Sequence, residues 1–136
     1  MEIMDRVRAA VAEAPHDVVA VYLYGSYGRG AAGEDSDVDL GLLLAASPAP
    51  TLSNVARDVE ATVESRIGKQ VEAVALNCAA PDLVHRVLSD GVILLDRDKA
   101  ARIRFEVNSR NAYFDLLPFL RRYRRSAAGD PRRDRS

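Results

Sequence analysis

The chain has 136 residues, a formal net charge of -1, 48% hydrophobic and 29% charged residues, one cysteine and no tryptophan. These values exclude a disordered chain and an internal disulfide framework, and no global charge bias points to nucleic acid or membrane. They fit one domain that buries roughly two thirds of the surface its unfolded chain exposes.

In chain order, apolar residues at Ile3, Val7, Ala10, Val11 and Ala14 keep a helical period that Pro15 ends. The N-terminus carries no apolar signal-peptide core. Residues 18–24, rich in β-branched and aromatic side chains, predict a buried strand. Gly25 to Gly33 is a glycine-rich loop with one helical turn expected after Ser26. Asp37 to Leu44 is the second strand, and Ser47 to Pro50 a loop. Thr51 or Ser53 is expected to cap a helix bearing Leu52, Val55, Val59, Val63 and Ile67, stopped by Gly68.

Val71 to Leu76 reads as a third strand, Pro81 to about Asp90 as a helix, and Val92 to Leu95 as a fourth strand. Near Asp98 a long helix begins and runs past Tyr123, with Pro118 expected to kink or split it near Leu117. The order α-β-β-α-β-α-β-α predicts an α/β (α+β) domain over residues 1–125, with a mixed sheet of about four strands flanked by helices. Residues 126–136, rich in Arg, read as a flexible tail: a solvated end, or a contact for an acidic partner or RNA. The longest apolar runs are far shorter than the ~20 residues a bilayer requires. With one cysteine, the chain reads as a soluble cytoplasmic protein.

Chemistry concentrates in LYGSYGRG (Leu23 to Gly30) and SDVDL (Ser36 to Leu40). On a strand, Asp37 and Asp39 project to one face. Two adjacent anions raise each other's pKa unless a cation sits between them, and oxygen ligands suit a hard divalent ion, Mg²⁺ or Mn²⁺. Gly25 lets a phosphate approach closely, the Ser26 hydroxyl and the N–H groups of the turn can donate to it, and Arg29 adds a planar cationic fork. Glu72, an acid in an apolar strand, makes sense as a third ligand of the same centre, in the manner of two-metal displacement sites; the alternative is an exposed position on an edge strand. Ser36 reads as bonding its own loop backbone. His16 and His85 lack metal-ligand spacing. Cys78 reads as a small buried hydrophobe, and Tyr22, Tyr24 and Tyr27 as packing residues. The wide apolar stripe Ile103, Phe105, Val107, Tyr113, Leu116, Leu117, Leu120 reads as part core and part partner surface.

Gly25-Ser26, ten residues, then Asp37-Val38-Asp39 resembles the signature of the polymerase-beta-like nucleotidyltransferases. GSYGRGAAGEDSDVDL, VEAVALN and AAPDLVHRVLSDGVILL are similar to the minimal nucleotidyltransferase (MNT) group within them, and the likeness extends to Tyr113-Phe114-Asp115. The resemblance implies a palm-like fold and an antitoxin that pairs with a HEPN-domain RNase toxin. It implies transfer of AMP from ATP, with Mg²⁺, to a tyrosine of that toxin. By the same match Gly25 and Ser26 bind the triphosphate and Asp37 and Asp39 bind metal. Glu72 takes the third-acid position, where Asp is more usual, as metal ligand and candidate base. Two other functions stand beside this one. One is a non-catalytic antitoxin acting by binding, through the long C-terminal helix. The other is a small-molecule transferase of the aminoglycoside type, disfavoured because only about 40 residues follow the last strand to build an acceptor pocket.

Overall fold

The computed structural model describes residues 3–45 and 49–129. Its elements are α1 (Ile3–Val11), β1 (Val18–Tyr24), α2 (Gly25–Gly28), β2 (Val38–Leu44), α3 (Ala49–Ile67), β3 (Val71–Ala75), α4 (Pro81–Asp90), β4 (Val92–Asp96) and α5 (Lys99–Gly129), with a 3₁₀ turn at Leu76–Cys78. The four strands form one sheet in the order β3-β2-β1-β4. β2 and β3 run parallel, and the other two pairings are antiparallel. The mixed α/β sheet and long last helix are those the sequence predicts.

Strand alternation divides the core into two layers. Val38, Leu40, Leu42 and Leu44 of β2 and Val21 and Leu23 of β1 pack with Val7 and Val11 of α1 and Val59 and Val63 of α3. The opposite face carries Ala20, Tyr22, Tyr24 and Leu43 against Val84 and Val87 of α4 and Phe105 of α5. Gly41 lies on this second face, where a Cβ would stand 3.1 Å from both Leu76 and Val87. Its bare backbone lets α4 settle onto β2.

Several local expectations shift. β2 starts at Val38, so Asp37 lies just outside the strand. The helical turn α2 takes in Gly25 itself. α3 begins at Ala49, which puts Thr51 and Ser53 inside the helix instead of at its cap. Asp98 does cap α5, accepting from the Ala101 N–H at 3.0 Å. Pro118 does not split α5, which is one helix through Gly129 and enters the stretch read as tail; residues 130–136 lie outside the described part. Proline removes the N–H that would reach the carbonyl of Phe114. Phe114 is 61% exposed, so water can take that carbonyl and the helix continues. Cys78 is exposed, correcting its reading as a buried hydrophobe: the turn that ends β3 directs Leu76, not Cys78, into the core.

Side chains far apart in sequence finish the backbone hydrogen bonding. The amide of Asn77 pairs with both polar groups of Leu44, accepting from its N–H at 2.9 Å and donating to its C=O at 2.8 Å, as a further strand residue would. Arg97 donates to Pro15 O (2.6 Å), Ala14 O (2.8 Å), Ala12 O (3.1 Å) and Val18 O (3.1 Å), gathering the carbonyls left open after α1. Arg97→Ala should cost about 1–3 kcal/mol, the range for hydrogen bonds from a charged donor, read as a lower urea midpoint at unchanged slope. On the other face the Tyr22 hydroxyl donates to Glu106 (2.7 Å), which also accepts from Arg102 (2.8 Å), and Arg102 reaches Asp96 (2.8 Å). This network pins α5 to β1 and β4, and the stacked rings of His85 and Tyr113, 3.7 Å between centroids, join α5 to α4.

Candidate active site

The sheet places one row of side chains across three strands. Tyr24 of β1 is in register with Asp39 of β2, and Asp39 with Glu72 of β3. Residues in register on neighbouring strands share a face. This row therefore lies on the α4 side, at the rim beyond Gly41. Tyr24 is buried, Asp39 half-buried and Glu72 exposed. Glu72 is thus both the second acid of the row and a residue of an edge strand.

The glycine turn meets this row directly. Gly25 follows Tyr24 with φ +66°, in the left-handed region. A Cβ on Gly25 would overlap Asp39 Oδ2 and stand 3.2 Å from its Cγ. The bend and the aspartate therefore converge on one hollow. After it the chain makes the single turn α2, with no side chain capping its start. Ser26 sits in that turn, half-buried. Gly28 is needed for another reason: a Cβ there would lie 2.7 Å from Leu23 O and 2.9 Å from Asp90 O, so α2 packs backbone-to-backbone against β1 and the end of α4. Arg29 follows, 3.8 Å from the Asp90 carboxylate in a half-exposed ion pair. Ser36 closes the loop as expected, accepting from the Gly33 N–H at 2.9 Å.

Burial raises the pKa of Asp39 first, then the charges of Glu72 and Asp37 raise it further, while Arg29 draws it down. The Tyr24 phenol is raised by burial and by the same pair of acids, Asp39 and Glu72, and lowered by Arg86. All three predicted acids thus act on one spot, with Arg29 the opposing cation. Arg86, Asp90 and Tyr24 are site neighbours that sequence reading missed or assigned to packing. Tyr24 carried a signal, since it immediately precedes the Gly-Ser bend; the two α4 residues carried none.

The donor set is all oxygen, with three acids against the one opposing charge of Arg29, a composition that would suit a hard divalent cation. Among the described residues, no three His, Cys, Asp or Glu side chains stand close enough to enclose an ion. The acids therefore share a field without forming a finished cage. Asp37, exposed and outside the ladder, is the least fixed of them. A concavity of about 790 Å³ lies elsewhere, between α3 and the outer edge of β3, lined by Ala56, Ala73, Ala75, Cys78 and Leu83 among others. It includes none of the six predicted site residues. No helix among the described residues is long and apolar enough to cross a membrane.

A turn of small residues pressed against an aspartate, beside a second acid in register, is the arrangement of a nucleotidyl-transfer palm. The family profile "Polymerase beta, Nucleotidyltransferase" matches residues 9–100, and the chain belongs to that family. Within it, the fold is similar to solved structures of toxin–antitoxin complexes. One, a toxin–antitoxin with AMP-PNP, matches with TM-score 0.70 and 21% identity over 92% of this chain and 94% of the other. A second is a tri-AMPylated HEPN toxin in complex with an MNT antitoxin from Shewanella oneidensis, with TM-score 0.65 and 19% identity over 93% and 92%. A third is the MntA-HepT toxin–antitoxin, with TM-score 0.61 and 19% identity over 93% and 92%. No curated protein gives a significant match.

Proposed function

We propose that this chain is a cytoplasmic antitoxin that transfers AMP from ATP to a tyrosine hydroxyl of a HEPN-domain RNase partner and so neutralises it. The observation that carries this reading is the contact of Gly25 with Asp39, itself in register with Glu72. Gly25, Ser26 and the α2 turn receive the triphosphate, and Arg29 offsets its charge. Asp37, Asp39 and Glu72 would hold Mg²⁺ or Mn²⁺. When bound, the cation neutralises phosphate charge and acidifies the attacking hydroxyl. The tyrosine oxygen attacks the α-phosphorus in line, the bond to the β-phosphate bridging oxygen breaks, and pyrophosphate leaves. Glu72, exposed on the edge strand, takes the hydroxyl proton. The chain's own contribution is positioning and electrostatics.

The similar AMP-PNP and tri-AMPylated complexes support this assignment of nucleotide and acceptor. So does α5. At ~1.5 Å per residue its 31 residues extend about 45 Å, roughly twice the length of a seven-residue strand. It leaves Ile103, Val107, Phe114 and Phe119 exposed, at 43%, 47%, 61% and 62%. Ile103, Val107 and Phe114 fall on one side of the helix and Phe119 on another, and a helix with this much apolar surface uncovered suits a protein partner.

The test is label transfer. The purified chain, ATP labelled at the α-phosphorus, Mg²⁺ and a HEPN-domain RNase sought in the adjacent reading frame are expected to yield a labelled partner. EDTA should abolish labelling and excess Mg²⁺ restore it. An unlabelled partner in a stable complex would favour neutralisation by binding alone. Label on an aminoglycoside instead would favour the small-molecule transferase.

A further inference from the structure

The third acid stands on the outermost strand, where half the backbone N–H groups have no neighbouring strand to bond. On β3 the outward groups include those of Val71 and Ala73, the residues on either side of Glu72. Both are satisfied from α3. Glu64 Oε1 accepts from the Val71 N–H at 2.9 Å, and Glu60 Oε1 accepts from the Ala73 N–H at 2.8 Å. Glu60 and Glu64 are four apart, so one helical stripe supplies both carboxylates. They reach the strand edge from the α1/α3 side of the sheet, whereas Glu72 projects to the α4 side with Asp39. On its inner edge β3 pairs with β2 in parallel register from Val38↔Val71 to Leu42↔Ala75. The Gln70–Val71 and Glu72–Ala73 peptide groups are therefore held from outside by charge-assisted hydrogen bonds, while the ladder with β2 holds the strand from inside.

We propose that Glu60 and Glu64 are positioning residues for Glu72: they clamp the edge strand on both sides of it and so fix the third acid relative to Asp39. A five-residue edge strand pairs on one side only. Without the clamp, residues 71–73 would exchange their bonds with water and Glu72 would sample positions away from Asp39. The clamp also occupies the two donors beside Glu72 that an incoming strand would need there. The acceptor segment then reaches Glu72 without adding to the sheet.

The inference rests on the role given above to Glu72, and the test separates the two. Glu60→Ala and Glu64→Ala, singly and together, are compared with Glu60→Gln and Glu64→Gln, whose amide oxygens can still accept. In the Ala variants amide exchange at residues 71–73 should quicken, and kcat for AMP transfer should fall about 10–100-fold, the range for residues that orient a metal ligand. The Mg²⁺ needed for half-maximal rate should rise while KM for ATP holds. The Gln variants should recover most of the loss. The single Ala variants keep one clamp, so the test survives even if the double variant fails to fold. On a Glu72→Gln background the Ala substitutions should cost nothing further. An equal penalty on that background, or Ala variants with lowered Tm but wild-type rate and Mg²⁺ dependence, would overturn the proposal. If Glu72→Gln alone transferred AMP at the wild-type rate, the third-acid role would fall and the clamp proposal with it. AMP transfer by the chain would still be standing.

Discussion

Asp39→Asn is expected to remove AMP transfer while making the metal-free protein more resistant to heat at neutral pH. The two effects have one cause. Asp39 is held half-buried beside Glu72 and Asp37, and all three influences raise its pKa against the single opposing charge of Arg29. A carboxyl whose folded pKa lies above its unfolded value binds more protons in the folded state. Between those two values stability falls as pH rises, and at neutral pH the ionised Asp39 is a net cost to the fold. Asparagine keeps the shape and discards the charge. The gain in Tm should be greatest near neutrality, shrink as the pH drops into the ordinary carboxylate range, and shrink also when Mg²⁺ is added to the wild type. Transfer should fall by about 10²–10³-fold or more, the scale for losing one principal electrostatic group of an active site. Parallel melting curves across pH and label-transfer assays measure both. A variant that melted earlier at neutral pH, or that labelled the partner normally, would show that Asp39 is not the strained anion described here.

Gly25→Ala should damage both the fold and the transfer reaction. Two penalties coincide. The residue holds φ at +66°, where an L side chain costs roughly 1–2 kcal/mol. The new Cβ would also overlap Asp39 Oδ2, so the carboxylate or the turn must move. Together these should cost about 2–4 kcal/mol. Displacing the acid by a fraction of its own size should lower the transfer rate about 10²-fold. Gly30→Ala is the internal control. It has φ +72° with nothing within 4 Å of the added Cβ, so it should carry the conformational penalty of ~1–2 kcal/mol alone. Equal effects of the two substitutions on transfer would mean that the contact of Gly25 with Asp39 carries no function.

The framework was legible in the sequence because its signals are local. A valine and tyrosine run marks β1 and a leucine run β2, each bounded by glycine and proline, and Gly25, Ser26, Asp37 and Asp39 fall at their ends. Folding the two strands into a hairpin brings those ends together at the Tyr24↔Asp39 pair. What escaped depends on partners remote in the chain. Glu60 and Glu64 look like ordinary solvated acids of an amphipathic helix until α3 is laid along β3. Arg97 looks like a loop cation until α1 ends beside it, some 80 residues earlier. Asn77 reads as a turn residue, not as a substitute for a strand backbone. Pro118 misled for the opposite reason: its local rule is sound, but on an exposed helix water can satisfy the carbonyl it abandons.

The position of Tyr24 has a practical consequence. With no tryptophan in the chain, near-ultraviolet absorbance and emission come from five tyrosines. One of them, Tyr24, abuts the acidic pair, and its phenol pKa is raised first by burial and then by their charge. Any ion that neutralises Asp39 and Glu72 must alter that ring's surroundings. Under the proposed function Tyr24 is thus an intrinsic optical gauge of occupancy, and titrating Mg²⁺ or Mn²⁺ should change tyrosine absorbance or emission without dye, label or partner.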